Sequence, residues 1–129
     1  MVLVDTSIWI DFFQRPASSY IEKLESLIRD NNRAVICGIV LQEILQGIKD
    51  DRSHALTKER LSVFPFINTD KETYLYASSL YRMMRKKGIT IPPADATIAA
   101  IAASNGIPLF TQDDHFGIIA GHSGLMLYS

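Results

Sequence analysis

The sequence has a single cysteine, Cys37, among its 129 residues. That excludes an internal disulfide and a zinc site built from cysteines, and it makes a reducing cytoplasm the expected setting. Any excess of positive charge is also missing: 13 Lys and Arg face 14 Asp and Glu, for a formal charge of -1. Global charge therefore attracts no polyanion, and a nucleic-acid partner needs a local basic patch or a metal ion. No stretch approaches the ~18 apolar residues of a membrane span. Met1 leads without a basic segment into Val2, Leu3 and Val4, and Asp5 then ends the apolar run, so no targeting leader is expected. Internal repeats, low-complexity tracts and linker-like Gly/Ser runs are lacking as well, which leaves one compact domain over residues 1–129 as the expectation. Gly-x-Gly-x-x-Gly, the P-loop pattern and Gly-x-Ser-x-Gly are all absent, which removes the usual nucleotide cradles and the serine-hydrolase elbow.

What is there reads as alternating short strands and helices. Residues 2–4 and 34–37 are apolar runs too short for helices and suited to buried strands, and residues 64–67, 109–111 and 125–128 read as further strands. Between them the pattern predicts helices near residues 8–13, 18–31, 39–48, 54–62, 70–87, 94–104 and 116–120. Arg15 and Pro16 mark the end of the first helix, and Asn31 and Asn32 the end of the second. Thr69 and Glu72 match a capping box ahead of the longest helix, along which Tyr74, Ala77, Leu80, Tyr81 and Met84 recur at helical spacing. Such alternation argues for an α/β domain whose parallel sheet is covered on both faces.

In open α/β sheets ligands sit beyond the carboxyl ends of the strands, where strand order reverses. Asp5 follows the first strand, and Asp113, with Asp114 beside it, follows the strand ending at Thr111. Asp95 stands in the first turn of ADATIAAIAAS, a helix apolar nearly all round and therefore buried. A charge there needs more than the ~0.3–1 kcal/mol that a helix N-terminus supplies. Spacing leaves two readings open: an Asp that caps its own first turn, or one compensated by a cation. Glu43 falls on the opposite side of its helix from Val40, Leu41, Ile44, Leu45 and Ile48, so periodicity assigns it to a solvated face. His54, His115 and His122 are scattered and read as surface or loop residues. A site made of carboxylates alone selects a hard cation such as Mg²⁺ or Mn²⁺, which engages phosphates and supports phosphodiester hydrolysis.

These residues together resemble a known family. Val2-Leu3-Val4-Asp5-Thr6-Ser7-Ile8-Trp9-Ile10-Asp11 is similar to the opening of PIN-domain nucleases, in particular the VapC-type toxins of bacterial toxin–antitoxin pairs. Glu43, within Val40-Leu41-Gln42-Glu43-Ile44-Leu45-Gln46-Gly47, matches the second acid of that family. Pro92-Pro93-Ala94-Asp95-Ala96-Thr97-Ile98 matches the third, and Leu109-Phe110-Thr111-Gln112-Asp113-Asp114-His115-Phe116 the fourth. The resemblance spans essentially the whole chain, with the motifs in order.

It implies a three-layer α/β/α fold with a mostly parallel central sheet, and an acidic pocket that binds Mg²⁺ or Mn²⁺ and cleaves RNA. By the same resemblance Glu43 turns into the cleft, against the periodicity. Asp5 and Asp95 are expected to hold the principal metal, with Glu43 and Asp113 completing the pocket and Asp114 as a neighbouring alternative to Asp113. Thr6, Ser7 and Thr111 are expected to hydrogen-bond the acids. The resemblance also implies a homodimer, and an antitoxin protein that blocks the site. Arg82, Arg85 and Lys86, with Lys87 adjacent, share a helix face that suits either an RNA contact or a solvated helix end. Tyr74, Tyr76 and Tyr81 on that helix read as core or dimer interface.

Two rival readings are a catalytically inactive PIN-like interaction module and a phosphoacceptor receiver domain. The complete acid set speaks against the first. Against the second, Asp5 has no paired acid, Asn68 follows Ile67, and no lysine follows Tyr128. A dehalogenase-type phosphatase needs Asp-x-Asp, which Asp5-Thr6-Ser7 lacks.

Overall fold

The computed structural model describes residues 1–14 and 18–129. In chain order the elements are β1 (Val2–Val4), α1 (Thr6–Gln14), α2 (Ser19–Arg29), β2 (Ala34–Cys37), α3 (Gly38–Gln46) and α4 (Asp51–Leu61). They continue with β3 (Phe66–Ile67), α5 (Lys71–Lys86), α6 (Pro93–Ser104), β4 (Leu109–Phe110) and α7 (His115–Gly121). The four strands form one sheet in the order β3-β2-β1-β4. Every pairing is parallel: Leu3 faces Val35 on one side and Leu109 on the other, and Ile36 faces Phe66. This is the expected helix-covered parallel sheet. β1 and β2 are buried at every position, as strands with helices on both faces must be.

The strand order fixes where a site belongs. From β1 the chain moves to one side to build β2 and β3, and returns to the other side for β4. The reversal therefore lies between the carboxyl ends of β1 and β4, where neighbouring loops part and leave a crevice. Asp5 and the segment from Thr111 to Asp113 occupy those two ends.

Packing behind the sheet holds that crevice in place. Trp9 is fully buried, its Nε1 donates to the Val4 carbonyl at 3.1 Å, and its ring lies 4.7 Å from that of Phe64. Replacing Trp9 by Ala would remove a large fully buried side chain. The expected cost is ~3–5 kcal/mol, read as a lower urea midpoint; an unchanged midpoint would show that Trp9 contributes little to the core. α6 packs against α3, α5 and α7, and its buried Ala96, Ala99, Ala100 and Ala102 let those neighbours approach closely. The sequence reading of a helix buried nearly all round holds for it. No helix among the described residues is long and apolar enough to cross a membrane.

Several boundaries differ from the sequence reading for local reasons. α4 starts at Asp51 rather than near residue 54, because Asp50 caps it by accepting from the Ser53 N–H at 2.8 Å. Asp70, not Thr69, caps α5: its carboxylate accepts from the Thr73 N–H at 2.9 Å and from the Thr73 hydroxyl at 2.7 Å. Thr73 is thereby buried while Tyr74, read as a core or dimer-interface position, is 55% exposed. β3 keeps only Phe66–Ile67, with Phe64 turned onto Trp9 instead. The segment expected as a last strand contributes a single parallel bridge, Leu109 to Leu127. At the end of α2, Asn31 and Asn32 take positive φ values of 61° and 51°, the left-handed conformation that Asn tolerates. The expected stop at Arg15 and Pro16 lies outside the described residues.

Candidate active site

Asp5 ends β1 with its carboxylate almost wholly buried, at 5% exposure. The chain itself satisfies that carboxylate. The Thr6 N–H donates to Oδ1 at 2.8 Å, and the hydroxyls of Ser7 and Thr111 donate to Oδ2 at 3.0 and 2.8 Å. The Asp5 N–H donates in turn to the Phe110 carbonyl at 2.9 Å, tying the end of β1 to β4. Burial raises the Asp5 carboxyl above its ordinary value, the three hydrogen bonds oppose that rise, and the charge of Asp113 adds to it.

Two threonines connect Asp5 to other acids. Thr6 Oγ1 donates to Glu43 Oε1 at 2.8 Å, so one residue bonds Asp5 through its backbone and Glu43 through its side chain. Glu43 is accordingly half-buried at the α1–α3 contact rather than on a fully solvated face. Thr111 Oγ1, besides donating to Asp5, accepts from the Asp113 N–H at 3.0 Å. All three residues expected to support the acids, Thr6, Ser7 and Thr111, make such bonds.

Asp95 enters from the first turn of α6. Pro92 occupies the cap position and no side-chain cap bond forms there. The reading of Asp95 as a residue capping its own turn is thus set aside. Its Oδ2 is buried and has no hydrogen-bond partner among the described residues. Burial, then the charges of Asp113 and Asp5, push its carboxyl up to about 6, with His115 opposing. The charge of Asp113 acts on both Asp5 and Asp95, while Asp114 is exposed and acts on neither. Asp113 is therefore the acid that the fold brings to Asp5 and Asp95.

The residue that sequence reasoning missed is His115. Its Nδ1 lies 3.2 Å from Asp113 Oδ1 and 3.5 Å from Asp95 Oδ2. The local cause is a turn in which Asp113 Oδ1 accepts the His115 N–H at 3.0 Å, followed by Phe116, which is fully buried. An Asp side chain commonly accepts the backbone N–H two residues on, whatever residue stands there, so no specific signal for the imidazole stood in the sequence. Gln112 braces the same loop by donating to Asp11 Oδ2 at 2.8 Å.

Three of the four acids named from the sequence thus act on one another directly, and Glu43 joins them through Thr6. Among the described residues, no Lys or Arg pairs with any of them. Like charges gathered without a Lys or Arg, around a buried carboxylate oxygen that has no hydrogen bond and only the His115 imidazole at 3.5 Å, fit a hard divalent cation. Asp95, Asp113 and His115 each offer a ligand atom, and these atoms lie within 4.8 Å of one another.

The basic residues lie elsewhere. Arg82, Arg85 and Lys86 on α5 and Lys87 just beyond it are exposed, with the Arg85 guanidinium 5.7 Å from the centre of the Tyr81 ring. A cleft of about 520 Å³ runs between Tyr74, Tyr81, Arg82 and Arg85 on α5 and Pro93 and Thr97 on α6. On a helical wheel Pro93 and Thr97 face away from Asp95. The basic face therefore adjoins the acid-bearing helix on its far side.

Comparison with known proteins agrees with this geometry. The family model described as the PIN domain matches residues 2–121. Ribonuclease VapC11 of Mycobacterium tuberculosis is 30% identical over 132 aligned residues, covering 100% of this chain and 98% of that protein. Ribonuclease VapC1 of Methanocaldococcus jannaschii is 30% identical over 116 residues, covering 89% of this chain and 78% of that one. Among solved structures, VapBC2 from Rickettsia felis bound to a DNA fragment from its promoter superposes with a TM-score of 0.83. It is 26% identical and is covered over 98% of its chain by 99% of this one. With the family model matching nearly the full length and VapC ribonucleases aligned end to end, the chain belongs to the PIN-domain family.

Proposed function

We propose that this protein is a metal-dependent endoribonuclease, the toxin of a toxin–antitoxin pair working in the cytoplasm. In this reading it hydrolyses RNA phosphodiester bonds at Asp5, Glu43, Asp95 and Asp113. The observation that carries the reading is the buried, unpartnered Asp95 Oδ2 facing two further carboxylates with no Lys or Arg to neutralise them. The likeness to VapC ribonucleases, end to end for VapC11 of Mycobacterium tuberculosis, supplies the substrate class.

Asp5 and Asp95 would hold Mg²⁺ or Mn²⁺, with Glu43 and Asp113 completing the set. When bound, such an ion lowers the pKa of a coordinated water and neutralises charge on the phosphate oxygens. The remaining work falls to the chain. Thr6, Ser7 and Thr111 fix the Asp5 carboxylate in one orientation, so no side-chain freedom is lost when a ligand arrives. Thr6 sets the spacing between Asp5 and Glu43, and Thr111 sets that between Asp5 and the Asp113 loop. Without a cation the crowded carboxylates repel a phosphate, so substrate entry and cation binding are coupled. In this reading water attacks phosphorus, and the hydroxyls of Ser7 and Thr111 serve to orient Asp5.

An antitoxin partner is supported by the likeness to the Rickettsia felis VapBC2 structure. A homodimer is consistent with Tyr74 and Leu75, both about half exposed on α5. The deciding experiment incubates the purified protein with a defined RNA and Mg²⁺ or Mn²⁺, with and without EDTA, beside an Asp5→Ala control. Cleavage that needs the metal and vanishes in the control is expected. Cleavage that resists EDTA would overturn the reading, and its complete absence would favour an inactive interaction module.

A further inference from the structure

The imidazole at the mouth of the site has no role in a four-carboxylate scheme, yet the fold aims it there. His115 opens α7, its N–H is held by Asp113 Oδ1 at 3.0 Å, and the buried Phe116 anchors the next position. With both restraints Nδ1 lies 3.2 Å from Asp113 Oδ1 and 3.5 Å from Asp95 Oδ2. Neighbouring ligands on a six-coordinate ion with bonds near 2.1 Å are separated by about 3 Å. The two distances from Nδ1 are thus close to those between adjacent corners of one coordination shell, and a ligand atom from each of the three residues lies within 4.8 Å of the others. The oxygen that His115 faces on α6 is also the one left without a hydrogen-bond partner.

We propose that His115 is a direct ligand, through Nδ1, of the ion held by Asp95 and Asp113, and that this nitrogen tunes the site toward Mn²⁺ over Mg²⁺. The inference rests on the metal-site reading above and deepens it. Mg²⁺ takes oxygen ligands and releases its waters reluctantly, whereas imidazole binds first-row transition ions. One nitrogen among carboxylates therefore raises Mn²⁺ affinity while adding little for Mg²⁺. His115 is about half exposed, so replacing it removes no core contact.

The test loads the full-length protein with Mn²⁺ and records nitrogen hyperfine coupling by pulsed electron paramagnetic resonance. Calorimetry in parallel gives Mn²⁺ and Mg²⁺ affinities for wild type and His115→Gln. Direct nitrogen coupling in the wild type is expected, lost in the variant, with the Mn²⁺-to-Mg²⁺ affinity ratio falling about tenfold or more. Wild-type protein grown with isotope-labelled histidine gives the same answer with no substitution, because the coupling changes with the isotope. Bound Mn²⁺ without nitrogen coupling, or an unchanged affinity ratio in His115→Gln, would overturn the His115 assignment and leave the carboxylate site standing. No Mn²⁺ binding by the wild type would overturn both.

Discussion

Asp95→Asn is expected to abolish RNA cleavage and, in metal-free protein at neutral pH, to raise the melting temperature. The two effects share one cause. The wild-type carboxyl is pushed up to about 6, first by burial and then by Asp113 and Asp5. A folded-state pKa above the unfolded value means that the folded protein holds the proton more tightly, so ionising Asp95 costs stability. The cost is absent below pH ~4, grows as pH rises toward 6, and is complete above it. Allowing for screening at the open side of the site, it is on the order of 1–3 kcal/mol. Asn keeps the shape and carries no charge, so the variant is expected to escape the penalty while losing the carboxylate that the proposed metal site needs. Melting curves of both proteins in EDTA at pH 4, 6 and 8 should converge at the acid end and separate at the basic end. Retained ribonuclease activity in folded Asp95→Asn would reject Asp95 as part of the machinery. Equal melting temperatures at pH 8 would show that the site is not strained.

What the sequence made legible, and what it hid, follows from the reach of each signal. Asp5 was readable because β1 is a short apolar run with the acid directly after it, and a buried strand can end only at the rim of a sheet. The burial of α6 was readable because a helix apolar on all sides has no other place to be. Periodicity failed at Glu43 because a helical wheel separates one buried face from everything else. α3 has a second neighbour in α1, and Thr6 reaches across that contact to the carboxylate. Only the family resemblance turned Glu43 inward. His115 was missed for a different reason. Its place depends on a turn two residues long and on Asp95, 20 positions earlier in the chain, and neither leaves a periodic trace. Tyr74, read as core or dimer interface, is not core: Thr73, hydrogen-bonded to the Asp70 cap, takes the buried position at that turn of α5.

Adding Mn²⁺ or Mg²⁺ to the wild-type protein should produce the opposite shift to EDTA, and the size of that shift should follow pH. A ligand that binds only the folded state at about a hundred times its Kd adds roughly 2.7 kcal/mol. For a chain of this length that corresponds to a rise of several degrees in melting temperature. Proton and cation compete for Asp95, whose carboxyl is half protonated near pH 6. The metal-induced rise should therefore be small at pH 5, grow through pH 6 and level off by pH 8. Asp5 shapes the curve less sharply, because the hydrogen bonds from Thr111, Ser7 and Thr6 resist the rise that burial imposes. The Asp95→Asn variant separates specific binding from a general ionic effect, since a cation that merely screens surface charge would stabilise both proteins alike. A rise that is independent of pH, or equal in the variant, would mean that the cation does not sit among these carboxylates, and the strain at Asp95 would then have to be relieved by something other than a divalent ion.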